Sequence, residues 1–293
     1  MVCELESRIR CSFLGLALGD ALGANYEGGL LERSVWWLLR VGTQGIRYSD
    51  DTQMSLDLAA SLIEHRGINQ DSLARQFAAS YTWRRGYGRG AATMLKRMRR
   101  GHAWDHENRR VFPDGSWGNG AAMRAPVIGM YSVRMGEEET LRMAREQAEV
   151  THALATRMAL LDTSAGELSE YLGNRFHGSR YDSKLEELCA LMRTDRHLSP
   201  VQCRTRFGNG VAAFDSTITA LYISLIHLMK SFDEMMTYIV QVKGDTDTIG
   251  AMAGAIWGAA NPPEHLPDTY LKLENTQGIQ SVADSLGAMA CHP

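Results

Sequence analysis

Two short acidic runs, each followed at once by an apolar stretch with helical spacing, constrain this chain more than any other feature. The first is YSDDT at residues 48–52, and the second is GDTDT at residues 244–248. Asp and Ser before an apolar stretch are typical of helix N-caps, so each run predicts a helix start. Capping alone would account for either run taken singly. Together the runs allow a second interpretation, in which the fold brings four carboxylates into one small volume.

Four carboxylates in one volume repel one another, and divalent cations that prefer oxygen ligands are their natural counter-charge. Two such ions would balance four aspartates. Neither run contains His or Cys, which argues against zinc, and the chain has no EF-hand loop. The pattern therefore predicts bound magnesium or manganese, with helix capping alone as the alternative.

Apolar residues recur at helical spacing along most of the chain. The predicted helices span residues 13–23, 52–65, 70–83, 91–99, 137–150, 184–192, 214–229 and 248–260. The stretch from 214 to 229 is apolar nearly all round, as a central buried helix would be. No hairpin dipeptide stands between alternating apolar and polar residues. The sequence thus predicts an all-α fold, a single-domain helical bundle over residues 1–293.

Composition narrows the classes of partner and compartment. The formal net charge is −3, so no general attraction to nucleic acid or to an acidic membrane is expected. The charged N-terminus is unlike a signal peptide, and no apolar stretch is long enough to cross a bilayer. The five cysteines show no CxxC spacing, which indicates neither a zinc knuckle nor a disulfide framework. We therefore expect a reducing, cytoplasmic location.

Seven segments, in order along nearly the whole chain, resemble the ADP-ribosylglycohydrolase family, whose founding member is the dinitrogenase-reductase-activating glycohydrolase. They are GLALGDALGANYEG, YSDDTQM, RGYGRG, GSWGNGAAMR, THA, GNGVAAFDS and GDTDTIGAMAGAI. The RGYG, GNGAAMR and GNGVAAF segments are most similar to the ADP-ribosylhydrolase 3 branch. The resemblance implies a two-metal site between helix N-termini, and cleavage of the glycosidic bond of ADP-ribose attached to protein.

The resemblance also implies roles for individual residues. Its metal ligands fall on the two acidic runs, at Ser49, Asp50, Asp51, Asp245, Asp247 and Thr248. Its catalytic carboxylate falls on Glu27, which sequence context alone would describe as an ordinary loop residue. Its substrate-binding positions fall on glycine-rich segments and one histidine, at Gly88, Gly90, Gly115, Ser116, Trp117, Asn119 and His152. Without the resemblance, these segments would predict turns, Trp117 would suit a core anchor, and a lone His is usually structural.

The implied cofactors are two Mg2+ ions, with Mn2+ as an alternative, and the implied partner is ADP-ribose or an ADP-ribosylated protein. A monomer is expected. Serine-linked ADP-ribose is the expected substrate, with poly(ADP-ribose) and O-acetyl-ADP-ribose as further candidates. Arginine-specific relatives tend to carry acidic residues where this chain reads RRGYGRG. An arginine-linked substrate is therefore less expected than a serine-linked one, and it is the first alternative. A non-catalytic ADP-ribose-binding or partner-blocking protein is the second.

Overall fold

The protein is described by a computed structural model that covers residues 4–29, 33–34, 36–38, 45–112, 116, 118–148, 181–194 and 196–291. Within these ranges the chain forms helices and turns, with isolated β-bridges but no strand. The α-helices are α1 (Glu4–Gly23), α2 (Asp50–His65), α3 (Gln70–Ser80), α4 (Arg89–Met98), α5 (Trp104–Val111), α6 (Ala125–Tyr131), α7 (Glu137–Ala148), α8 (Asp182–Met192), α9 (Pro200–Phe207), α10 (Ala213–His227), α11 (Phe232–Val242), α12 (Thr246–Ala260) and α13 (Thr276–Cys291). Short 3-10 helices lie at Trp83–Arg85, Pro263–His265 and Asp268–Lys272. The all-α prediction is confirmed.

The eight helices predicted from apolar spacing are present with shifted ends. α2 and α12 each begin two residues earlier than predicted, so the first turns of both helices include aspartates of the acidic runs. α3 ends at Ser80 because Tyr81 and Thr82 have ψ angles of 124° and 134°, outside the helical range. The predicted end of α7 at Val150 lies outside the described residues. None of the helices in the described ranges has both the length and the apolar character needed to cross a membrane.

Five helices were not predicted from the sequence. α5, α6 and α9 have eight residues or fewer, a length at which periodicity is a weak signal. α13 contains Gly278 and Gly287, which weaken a helix prediction. The start of α11 could have been predicted, because Ser231 and Glu234 have the spacing of a capping box and form one in the structure.

Glycines spaced four residues apart hold α1 and α12 in close antiparallel contact. They are Gly15, Gly19 and Gly23 on α1, and Gly250, Gly254 and Gly258 on α12. A Cβ atom on Gly15 would clash with the backbone of Gly254, and one on Gly19 would clash with the backbone of Gly250. Because the helices run in opposite directions, the C-terminal end of α1 meets the N-terminal end of α12. There the Thr246 hydroxyl donates to the Gly23 carbonyl oxygen at 2.9 Å.

The N-terminus of α2 reaches the same end of α1 through Asp20. This carboxylate is fully buried and accepts hydrogen bonds from the backbone N–H groups of Ser49 and Thr52, both at 2.9 Å. It also accepts from the Thr52 hydroxyl at 2.6 Å. α13 packs on α1, and α10 packs on α12 and is buried along nearly its whole length, as predicted. The two acidic runs are thereby brought to one end of the α1–α12 pair.

Candidate active site

Asp20 organises the first acidic run, although the sequence analysis did not select it. Its carboxylate satisfies backbone donors at the start of α2, the function that a helix-capping side chain usually performs. Ser49 is the N-cap residue of α2, and its Oγ accepts from the Asp51 N–H at 3.2 Å. The same hydroxyl lies 3.0 Å from the Asp51 carboxylate, to which it donates. The capping interpretation of the first run is therefore correct, and the carboxylate of Asp51 still faces the second run.

The two acidic runs meet between the N-termini of α2 and α12. The Thr248 hydroxyl donates to Asp51 Oδ1 at 3.2 Å, and the Thr248 N–H donates to Asp247 Oδ1 at 3.0 Å. Asp51 and Asp247 both lie in the first turns of their helices, where the helix dipole stabilises negative charge. The structure thus brings together carboxylates that the sequence analysis treated as one cluster.

The carboxylates form two groups that share Asp247. In the first group, Asp20, Asp51 and Asp247 are buried and have carboxylate oxygens within 4.8 Å of one another. In the second group, Glu27 and Asp245 approach Asp247 within the same limit, and Glu27 stands at the exposed edge. Asp50 belongs to neither group. Carboxylate oxygens without His or Cys are the ligands that hard divalent cations prefer, so the described residues could hold a metal ion.

Burial and mutual repulsion raise the pKa values of these carboxyl groups. Burial first, and then the charges of Asp20 and Glu27, raise the pKa of Asp50 to about 8. Burial, followed by the charges of Asp20 and Asp50, raises the pKa of Asp51 well above its ordinary value. Burial and the charge of Glu27 do the same to the pKa of Asp247. Each negative charge in this volume disfavours the next, so a cation among them would lower the free energy of the cluster.

Asn119 and the turn before α12 hold Asp245 in place. The buried side-chain amide of Asn119 donates to the Asp245 carboxylate at 2.5 Å and to the Ser216 hydroxyl at 2.9 Å. Gly244 has a φ angle of 83°, and a Cβ atom on it would clash with Asn209. The Asn209 carbonyl oxygen in turn accepts from the Asp245 N–H at 2.9 Å. Asn119, predicted to bind substrate, therefore contacts the acidic cluster itself.

Three other predicted substrate-binding residues, Gly88, Gly90 and Ser116, lie in the described part of the chain. Gly88 is exposed and directly precedes α4, and Gly90, in the first turn of α4, packs against the Phe112 ring. Ser116 is exposed, and its hydroxyl accepts from the Gly118 N–H at 3.2 Å. Three predicted residues lie outside the described residues, and their roles stay predictions: Gly115, Trp117 and His152.

Arg85 links the RGYGRG segment to the first acidic run. Its guanidinium pairs with Glu274, donates to the Tyr48 carbonyl oxygen at 2.8 Å and stacks over the Tyr48 ring at 3.8 Å. Glu274 also accepts from the Tyr48 N–H at 3.1 Å. Both backbone polar groups of Tyr48, its N–H and its carbonyl oxygen, are therefore hydrogen-bonded. Glu274 balances the charge of Arg85 within the protein.

Comparisons with known proteins identify the family and agree with the fold. The family model described as ADP-ribosylglycohydrolase matches residues 1–292. The mouse protein named ADP-ribosylhydrolase ARH3 is 30% identical, over an alignment that covers 90% of this chain and 86% of that protein. The Rhodospirillum rubrum protein named ADP-ribosyl-[dinitrogen reductase] glycohydrolase is 26% identical and is aligned over 98% of each chain.

A solved structure described as an ADP-ribosylglycohydrolase-related protein complex has the same fold. It superposes with a TM-score of 0.58 at 24% sequence identity, over 98% of this chain and 99% of that chain. The seven ordered segments, the helical fold and the match over nearly the full length all point the same way. This chain belongs to the ADP-ribosylglycohydrolase family and is a hydrolase of the glycosidase type.

Proposed function

We propose that this chain hydrolyses the glycosidic bond between ADP-ribose and a serine oxygen of a modified protein, with divalent cations held by its acidic cluster. The observation that carries the proposal is the pair of carboxylate groups that share Asp247 and meet Glu27 at the exposed edge. Serine linkage follows from the resemblance to the ADP-ribosylhydrolase 3 branch, which also supports poly(ADP-ribose) and O-acetyl-ADP-ribose as further substrates. The proposed working unit is a single-domain monomer.

We assign the metal ligands to the two acidic runs, and Mg2+ is the proposed ion, with Mn2+ as an alternative. Asp51, Asp245 and Asp247 supply carboxylate oxygens, completed by Ser49, Asp50 and Thr248. Asp20 already accepts several hydrogen bonds from residues 49–52, so its role is to position those residues. When bound, the ions would supply Lewis-acid polarisation of ribose and water oxygens.

Glu27 is assigned the proton transfer. It lies four residues after the end of α1 and is exposed, yet its carboxylate lies within 4.8 Å of those of Asp245 and Asp247. The Glu27 carboxyl group can therefore exchange protons with solvent and also transfer a proton at the glycosidic bond. In glycoside cleavage such a group protonates the departing oxygen or accepts a proton from the attacking water.

The alternative substrate is ADP-ribose linked to arginine, which the same metal ions and the same carboxylates would cleave. Repulsion of a guanidinium leaving group by the RRGYGRG segment would disfavour it. At Arg85 that repulsion is weak, because Glu274 balances the charge. Arg84 and Arg89 are exposed to solvent, where such charges interact weakly. Serine preference therefore depends on the resemblance more than on electrostatics.

The test offers serine-linked and arginine-linked ADP-ribosyl peptides side by side, in Mg2+, in Mn2+ and in a chelator. We expect ADP-ribose release from the serine-linked peptide in the presence of either ion and none after chelation. Faster release from the arginine-linked peptide would establish the alternative linkage. Release that chelation leaves unchanged would remove the metal ions from the proposal.

A further inference from the structure

A cavity lined by aromatic side chains lies beside the acidic cluster. None of the residues that line it has a role in the proposed reaction. Its volume is about 440 Å3, and its walls include Leu22, Tyr26, Arg33, Trp36 and Trp37. The side chains of Tyr26 and Trp37 are 45% and 66% exposed. Clustered aromatic surface of this kind commonly marks a binding site. Tyr26, Arg33, Trp36 and Trp37 are called the aromatic pocket below.

The aromatic pocket adjoins the acidic cluster on two sides. On one side, Tyr26 directly precedes Glu27 in the chain. On the other side, Trp36 Cζ3 and Asp50 Oδ1 each lie 3.9 Å from the position that a Cβ atom would take on Gly86. The indole of Trp36 and the carboxylate of Asp50 thus flank one small space at Gly86. A sugar held at the carboxylates would have its leaving group within reach of this pocket.

The pocket wall contains two buried hydrogen-bond donors, one on Arg33 and one on Trp36. Among the described residues, Arg33 Nε and Trp36 Nε1 are buried and lack a hydrogen-bond partner. Both side chains are held by other contacts: Arg33 Nη2 donates to the Tyr26 carbonyl oxygen at 2.7 Å, and the Arg47 guanidinium lies 4.9 Å from the Trp36 ring centre. Buried donors without acceptors are unfavourable. They fit a ligand that carries carbonyl or carboxylate oxygens together with apolar groups.

We propose that the aromatic pocket binds the polypeptide of the modified protein, on the leaving-group side of the bond that is cleaved. This inference rests on the proposed function. Peptides supply both carbonyl acceptors and apolar side chains, the two kinds of group that the pocket walls fit. Asn119, which the family resemblance assigns to ADP-ribose binding, contacts the cluster through Asp245. The pocket instead borders Asp50 across the space at Gly86, and Tyr26 directly precedes Glu27, so we place the peptide there and ADP-ribose beside Asn119.

The experiment compares two substrates with the same glycosidic bond. One is ADP-ribosyl serine as the free amino acid, and the other is the same residue inside a short peptide; an arginine-linked pair is measured in parallel. Trp37→Ala and Arg33→Gln should each lower kcat/KM for the peptide by about tenfold and change kcat/KM for the amino acid by less than about twofold. Trp37→Phe retains a ring and should retain most of the activity on the peptide.

Trp83→Ala is the matched control. Trp83 is 67% exposed, close to the 66% of Trp37, and does not line the pocket, so both substrates should be cleaved as by the wild type. Equal losses on peptide and amino acid in the pocket variants would overturn the inference and indicate that the pocket binds ADP-ribose, for instance its adenine. Unchanged rates on both substrates would overturn it as well. If the wild type cleaves neither substrate of either linkage, the proposed function itself is wrong, and the assignment of the pocket falls with it.

Discussion

Replacing Asp247 by Asn should stabilise the metal-free protein and weaken its response to Mg2+. Asp247 is shared by both carboxylate groups, and burial followed by the charge of Glu27 raises its pKa well above the ordinary value. A carboxyl group with a raised folded-state pKa stabilises the fold fully only below its unfolded pKa. That contribution is lost as the pH rises from about 4 through the folded pKa. An amide at this position does not ionise, so the loss disappears.

The pKa of a neighbouring carboxyl group is larger than its ordinary value by several units: burial and neighbouring charges raise the pKa of Asp50 from 3.8 to about 8. One pKa unit corresponds to about 1.4 kcal/mol, so one such group lowers the free energy of unfolding by on the order of 4 kcal/mol at neutral pH. Mg2+ at a hundred times its Kd would return about 2.7 kcal/mol. For a chain of 293 residues, whose entropy of unfolding is about 0.6 kcal/mol/K, that corresponds to a rise in Tm of roughly 4 °C.

Thermal melts at about pH 5 and about pH 8, in chelator and in Mg2+, test this reasoning. In chelator, the Tm of the wild type should fall as the pH rises, and Mg2+ should restore it. The Tm of Asp247→Asn should depend less on pH and less on Mg2+. Asp57→Asn, on α2, is the control, because Ser80 and Gln53 hydrogen-bond to its carboxylate, which belongs to neither carboxylate group. It should keep the Mg2+ response. An Asp247→Asn variant that melts below wild type in chelator and gains the full Tm increase in Mg2+ would refute the cation site and leave only helix capping.

Three further predictions address catalysis, packing and ligand binding. Glu27→Gln should lower single-turnover rates roughly a hundred- to ten-thousand-fold, while calorimetry finds ADP-ribose binding unchanged; a variant with normal turnover would remove Glu27 from the chemistry. Gly19→Ala should lower the free energy of unfolding in denaturant titrations, because its Cβ meets the backbone of Gly250, whereas Gly67→Ala has open space and should not. Trp117→Ala should weaken ADP-ribose binding about tenfold or more at unchanged Tm; normal binding with a lowered Tm would identify Trp117 as a core anchor.

The sequence by itself determined eight of the described helices and, to within two residues, the two acidic helix starts. Residues 49–52 and 245–248 place Ser, Thr and Asp directly before apolar periodicity, and a helix start depends on such near neighbours. α2 and α12 begin within these runs. Short polar helices such as α5 were not predictable in the same way, because their stability comes from packing more than from a local pattern. Glu27 had no local signal, and only the family resemblance selected it.

Only the tertiary structure decided which carboxylates meet. Asp51 and Thr248 are 197 positions apart and touch through a hydrogen bond, and Asp20 reaches donors that lie about thirty positions away. The glycines of α1 and α12 allow close packing, but their spacing alone does not identify the partner helix. Helix capping is a short-range interaction, whereas the approach of several buried carboxylates is imposed by the packing of long apolar helices. The sequence therefore revealed the chemical groups, and helix packing set the distances that make them a site.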